Sequence, residues 1–121
     1  MSYRIKKETL EMIMESAKDS YPNEFAAFLR ADRNIIYEIV LLPGTVSGKR
    51  SAVYRLYMKP IDFSLIGTVH SHPSGVTIPS PEDLDLFSKT GKVHIIVGFP
   101  YRITDFSAYD RNGKNIDVEI L

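Results

Sequence analysis

Apolar residues recur at helical spacing near the start of the chain. Leu10, Ile13, Met14 and Ala17 fall at i, i+3, i+4 and i+7, while Glu8, Glu11, Glu15 and Lys18 lie largely off that stripe. The pattern predicts an amphipathic helix over 8–19, with Met12 outside the buried stripe. Tyr21-Pro22-Asn23 ends it, because the residue before a proline is pushed out of the helical region. The period then changes. Residues 24–30 form a short apolar run between breakers and predict a buried strand. The polar turn 32–34 leads into a second strand over 35–42, making a hairpin with the first. Residues 43–51, with Gly44, Gly48, Lys49 and Arg50, have the composition of an exposed loop. Residues 52–58 alternate in part, as an edge strand does, and 59–66 carry no assignable pattern.

Residues 67–70 predict a further strand. Ser80 followed by Pro81, Glu82 and Asp83 reads as a helix start: serine caps, proline suits the first helical position, and acids suit the first turn. Leu84, Phe87 and Leu86 are its expected buried side and Gly91 its end. Residues 93–99 read as a central strand, 103–109 as another, 110–113 as a turn suited to positive φ, and 115–121 as the last strand. This order predicts an α/β fold: a single mixed sheet with flanking helices.

Length and composition narrow the picture without changing it. A chain of 121 residues fits one domain spanning 1–121, and 44% hydrophobic with 25% charged residues is a globular profile. Fifteen basic residues balance fifteen acidic ones, so net charge recruits neither nucleic acid nor an anionic membrane. The first residues lack the apolar run of a signal peptide, and no apolar segment is long enough to span a bilayer, so a cytoplasmic location is expected. The chain has no cysteine, which removes disulfides, thiolate zinc sites and thiol nucleophiles together.

Against that background, residues 68–84 stand out. They hold two of the three histidines, His70 and His72, and Asp83 beyond a loop rich in Pro, Gly and Ser. Alternate residues of an extended segment point the same way, so both imidazoles can converge while Ser71 faces away. Two imidazoles and one carboxylate form a three-ligand zinc set that leaves a fourth tetrahedral position for water. Asp83 also reads as a plain helix-start acid, and two histidines two apart can simply line a polar loop. Glu24 heads an otherwise apolar strand, where a carboxylate without a partner is costly. It is either an exposed strand-end acid or the carboxylate that a zinc hydrolase needs for proton transfer. His94, inside an apolar strand, reads as a structural histidine.

The combination of Glu24 in Pro-Asn-Glu-Phe, then His70-Ser71-His72-Pro73, then Pro79-Ser80-x-x-Asp83 resembles the JAMM (MPN-plus) zinc metalloproteases, most closely the compact archaeal and bacterial members. The resemblance covers nearly the whole chain and implies a sheet with flanking helices related to the cytidine-deaminase fold. It implies that His70, His72 and Asp83 bind one Zn2+, with a water as fourth ligand. Glu24 would hold and deprotonate that water, and Ser80 would donate to the oxyanion of the tetrahedral intermediate. Ser80 thus has two candidate tasks, N-cap and oxyanion donor, which one hydroxyl is not expected to serve fully at once. Ser71 is either an orienter of nearby backbone or a plain loop serine.

The implied reaction is hydrolysis of amide or isopeptide bonds at the C-terminal Gly-Gly of ubiquitin-like or sulfur-carrier-like proteins. Residues 43–58 are expected to clamp that tail by strand addition. Where relatives carry Gly-Leu-Leu after the glutamate, this chain has Phe25, Ala26 and Ala27, and the long insertions of the eukaryotic deubiquitinating members are absent. Three alternatives stand beside this reading. A zinc nucleobase deaminase needs Pro-Cys-x-x-Cys and is excluded. A RadC-like DNA-repair-associated relative shares the His-x-His-Pro-Ser-Gly segment, and a non-catalytic MPN-type module could bind a ubiquitin-like partner. Apolar edges at 61–65 would allow a homodimer.

Overall fold

A computed structural model gives the structure of residues 2–41, 56 and 62–121. Apart from Leu56, the expected loop at 43–51, the edge strand at 52–58 and the tail clamp built from them lie outside the described residues. In chain order the elements are β1 (Tyr3–Ile5), α1 (Lys7–Ser20), β2 (Ala26–Asp32), β3 (Ile35–Val40), β4 (Leu65–His72), α2 (Pro81–Thr90), β5 (Val93–Gly98), β6 (Phe106–Tyr109), β7 (Asn115–Ile116) and β8 (Val118–Ile120). The strands form one mixed sheet in the order β7-β6-β5-β4-β2-β3-β1-β8. Among the described residues no helix is long and apolar enough to cross a membrane.

The apolar stripe of α1 is the centre of the larger core. Leu10, Ile13, Met14 and Ala17 are buried there with Ala27 and Leu29 of β2, Val69 of β4 and Ile95 and Val97 of β5, while Met12 is exposed as its off-stripe position predicts. The chain end departs from expectation. The strand expected over 115–121 is two short strands at opposite ends of the sheet, β7 beside β6 and β8 parallel to β1. Only Asp117 separates them. Successive Cα atoms are ~3.8 Å apart, so Ile116 and Val118 lie within about 8 Å of each other. The sheet therefore rolls around α1 until its two edges nearly meet.

Three further readings are corrected. β1, three residues long, has no counterpart among the sequence-based elements; it lies between β3 and β8, parallel to both. β6 starts at Phe106 rather than 103, because Asp105 binds the backbone N–H (2.7 Å) and guanidinium of Arg102 and closes a turn there. Leu84 is 40% exposed, and α2 instead buries Asp83, Leu86, Phe87 and Thr90. Those positions follow i, i+3, i+4 and i+7, so turning Asp83 inward swings Leu84 out. Leu65, counted with an exposed edge, is buried with Phe28, Leu56 and Leu86, although Phe63 is fully exposed.

The site depends on the middle of the sheet. β4 is flanked by β2, antiparallel, and by β5, parallel, with His70 paired to Ala26 on one side and Ile96 on the other. Thr68, His70 and His72 alternate onto the face that carries α2, and Val69 and Ser71 onto the face that carries α1.

Candidate metal centre

β4 delivers both histidines at its C-terminal end, and the loop 73–80 returns the chain so that α2 begins above them. Ser80 caps α2 reciprocally: its Oγ accepts from Asp83 N–H at 3.1 Å, and its own N–H donates to Asp83 Oδ2 at 2.9 Å. This capping box fixes the Asp83 carboxyl over the histidines. His70 Nε2 lies 3.2 Å from Asp83 Oδ1, His72 Nε2 lies 3.2 Å from Asp83 Oδ2, and the two Nε2 atoms are 3.1 Å apart. The three residues offer ligand atoms within 4.8 Å of one another.

The donor set fits a tetrahedral cation. With bonds of ~2.0–2.1 Å, such an ion has ligand–ligand edges of roughly 3.3 Å; the two Nε2 atoms stand 3.1 Å apart, and each lies 3.2 Å from a different oxygen of the Asp83 carboxyl. The tautomer of His72 is fixed as well. Its Nδ1 lies 2.7 Å from the Val76 carbonyl, which can only accept, so Nδ1 carries the proton and Nε2 presents a lone pair to the cluster. Asp83 Oδ1 is buried with His70 Nε2 3.2 Å away as its close polar neighbour, short of a well-formed hydrogen bond, an arrangement a bound cation would satisfy.

Electrostatics point the same way. Burial opposes ionisation of Asp83, but the imidazoles of His70 and His72 and the Ser80 N–H outweigh it, holding the carboxyl well below the usual carboxylate range. Burial likewise opposes charging of His72, and the Asp83 carboxylate, the Val76 carbonyl and Glu24 together raise its proton affinity. A cation held at Nε2 would take the place of that proton.

Glu24 stands two residues before Ala26, the partner of His70, so continuing the antiparallel register sets it across from His72. Ser71 holds this approach in place: its Oγ accepts from Phe25 N–H at 2.8 Å, and its N–H donates to Phe25 O at 2.9 Å. Of the two readings of Ser71, the backbone orienter is the one observed. Tyr21 stacks on Phe99 at 4.7 Å and ties the start of the same segment to the end of β5. The charge of Glu24 acts on both His72 and Tyr101.

His94 is kept apart from the cluster. Its Nε2–H donates to Gly91 O at 3.0 Å, its Nδ1 accepts from Thr68 Oγ1 at 2.7 Å, and its ring stacks on Phe87 at 4.3 Å. Burial pushes its pKa down to about 4. It is a structural histidine, as its apolar strand suggests. Ser80 differs from expectation in one respect. Capping uses its oxygen as an acceptor, so its O–H remains to donate elsewhere, and the two tasks are compatible. Sequence reasoning missed the contacts that shape loop 73–80, above all Thr77, Ser107 and Tyr109. The only signal for them was the alternation of Ser107 and Tyr109 in a short strand.

A mixed sheet with α1 packed on one face and α2 on the other is the JAB1/MPN architecture, and here its His-x-His strand faces an aspartate at the head of α2. The chain belongs to the prokaryotic homologs of the JAB domain, whose family model matches residues 6–112. A probable metalloprotease of Haloferax volcanii is 37% identical over 127 residues, covering 97% of this chain and 78% of that protein. The structure of a JAB1/MPN domain protein from Archaeoglobus fulgidus matches with a TM-score of 0.80 at 34% identity, covering 99% of this chain and 98% of that one. A structure described as JAMM, a metalloprotease-like zinc site in the proteasome and signalosome, matches with a TM-score of 0.80 at 34% identity over 100% of this chain and 99% of that one. A protein from Desulfitobacterium hafniense, 19% identical with a TM-score of 0.63 over 98% of this chain and 92% of that one, shares the fold.

Proposed function

We propose that this protein is a zinc-dependent hydrolase of amide or isopeptide bonds formed by the C-terminal Gly-Gly of ubiquitin-like or sulfur-carrier-like proteins. One observation carries the reading: two histidines and an aspartate, with ligand atoms within 4.8 Å of one another, lie where the register also brings Glu24. A zinc ion held by His70, His72 and Asp83 would polarise the scissile carbonyl and lower the pKa of a water towards about 7. Glu24 accepts the proton of the attacking water and returns it to the leaving amine as the carbon–nitrogen bond breaks. The Ser80 O–H, unused by the cap, donates to the oxyanion. A Gly-Gly tail suits this chemistry because an extended segment without side chains can bring its carbonyl close to a buried cluster. The named activity of the Haloferax relative supports the protease reading.

The test is cleavage of a fusion bearing a Gly-Gly junction, linear or isopeptide, by wild type and Glu24→Gln. Loss of about 10²–10⁴-fold is expected in the variant, with its zinc retained, and a chelator should abolish wild-type cleavage. Turnover that survives Glu24→Gln would remove Glu24 as the base. Tight binding of the fusion without any wild-type cleavage would make the protein a binding module instead.

A further inference from the structure

The loop 73–80 sets the tautomer of His72 through Val76 O and the position of Asp83 through Ser80. Its apolar side chains do not anchor it, since Val76 is 54% and Ile78 70% exposed. It is held instead at Thr77, through both the backbone carbonyl and the hydroxyl. Ser107 pairs with Ile96 and Tyr109 with His94, so both β6 side chains lie on the face of the sheet that carries the metal centre. Both take hold of Thr77: Tyr109 Oη donates to Thr77 O at 2.6 Å, and the Ser107 and Thr77 hydroxyls are 2.8 Å apart. Thr77 follows Val76 directly, so the clamp fixes the peptide unit next to the carbonyl that reads His72 Nδ1. The end of β5 closes the loop from below. A Cβ at Gly98 would lie 2.8 Å from Gly75 O and 3.0 Å from Thr77 Cγ2, so only glycine allows this approach.

We propose that Tyr109, assisted by Ser107, is a positioning residue of the metal centre. It holds Thr77 so that Val76 O keeps the proton of His72 on Nδ1 and aims Nε2 at the cation. The proposal rests on the metal-binding reading above. Histidine χ2 is a broad, soft torsion, so the ring orientation depends on what its second nitrogen meets. Releasing Thr77 lets Val76 O drift, and His72 loses both its fixed tautomer and its aim. Tyr109 touches neither metal nor substrate in this scheme; it acts through two hydrogen bonds and the stretch of backbone between Thr77 O and Val76 O.

Cobalt(II) serves as the probe, because its visible bands report ligand geometry as well as binding. Wild type, Tyr109→Phe, Gly98→Ala and Thr90→Val are titrated with cobalt(II) against a competing chelator. Thr90→Val is the control: it deletes a buried hydroxyl that donates to Leu86 O at 2.6 Å, away from the loop. Tyr109→Phe is expected to weaken cobalt about 3- to 30-fold, somewhat less than the ~10–100-fold of a direct outer partner, and to change the band intensities. Gly98→Ala should do likewise without removing any hydroxyl. Thr90→Val should lower the melting temperature and leave affinity and spectrum alone. Unchanged affinity and spectrum in Tyr109→Phe, or an equal change in Thr90→Val, would overturn the clamp while leaving the metal site standing. A wild-type chain that takes up no cobalt would overturn the metal reading and the clamp with it.

Discussion

Ser80 serves the end of α2 with its lone pair and keeps its proton for the open side of the cluster. Substitution can separate these tasks, because glycine is nearly as good an N-cap as serine but has no hydroxyl. Ser80→Gly should cost only a few tenths of a kcal/mol in unfolding free energy and lower kcat by roughly 10²–10³. An unchanged kcat would leave Ser80 with the cap alone. His94 makes a prediction about pH. Its folded pKa of about 4 lies below the unfolded value near 6.5, so the unfolded chain binds the proton more readily between them. The stability it contributes is complete above about pH 6.5 and is lost as pH falls towards 4, to an extent of roughly 3 kcal/mol. Urea midpoints of the chelated protein should therefore fall more steeply over that window than those of His94→Gln. Parallel slopes would contradict it.

At the scale of elements, the pairing of β4 with β5 determines whether the histidines are presented at all. Gly67 sits opposite Val93, and a Cβ there would come 1.6 Å from Val93 O. Gly67→Ala must push the two strands apart. We expect a loss of about 1–3 kcal/mol or more, read from the urea midpoint, with weaker metal retention because His70 lies on the displaced strand. Wild-type stability in that variant would show that the strands are less closely set than their register requires. The elements themselves were legible where a period was long enough to register. The stripe Leu10–Ala17, the hairpin of β2 and β3, and the capped start at Ser80 all appear where the residues place them. β1, three residues long, was not, nor was the break at Asp117 that sends β8 to the other edge of the sheet. Such short strands acquire their identity from neighbours in the sheet rather than from their own pattern. Leu84 was misread for a related reason: periodicity alone does not say which face a short helix turns in when its cap is itself a buried carboxylate.

For the whole molecule, rolling the sheet around α1 is what brings distant pieces of sequence to one point. The ligands come from β4 and α2, Glu24 precedes β2, and the clamp comes from β6. The grouping of His70, His72 and Asp83 was legible because His-x-His on a strand and an acid at a helix start are local patterns. Glu24 was legible only through its family likeness, since its position across from His72 exists only after β2 pairs with β4. The clamp was illegible because Thr77, Ser107 and Tyr109 meet only in the folded chain. Metal content, measured beside activity on the same samples, tests the central claim most directly. Wild type and Glu24→Gln should carry stoichiometric zinc, and only wild type should cleave the Gly-Gly junction; His72→Ala and Asp83→Ala should lose both metal and cleavage. Cleavage by a demonstrably metal-free chain, or zinc held undiminished without His72 and without Asp83, would contradict the account.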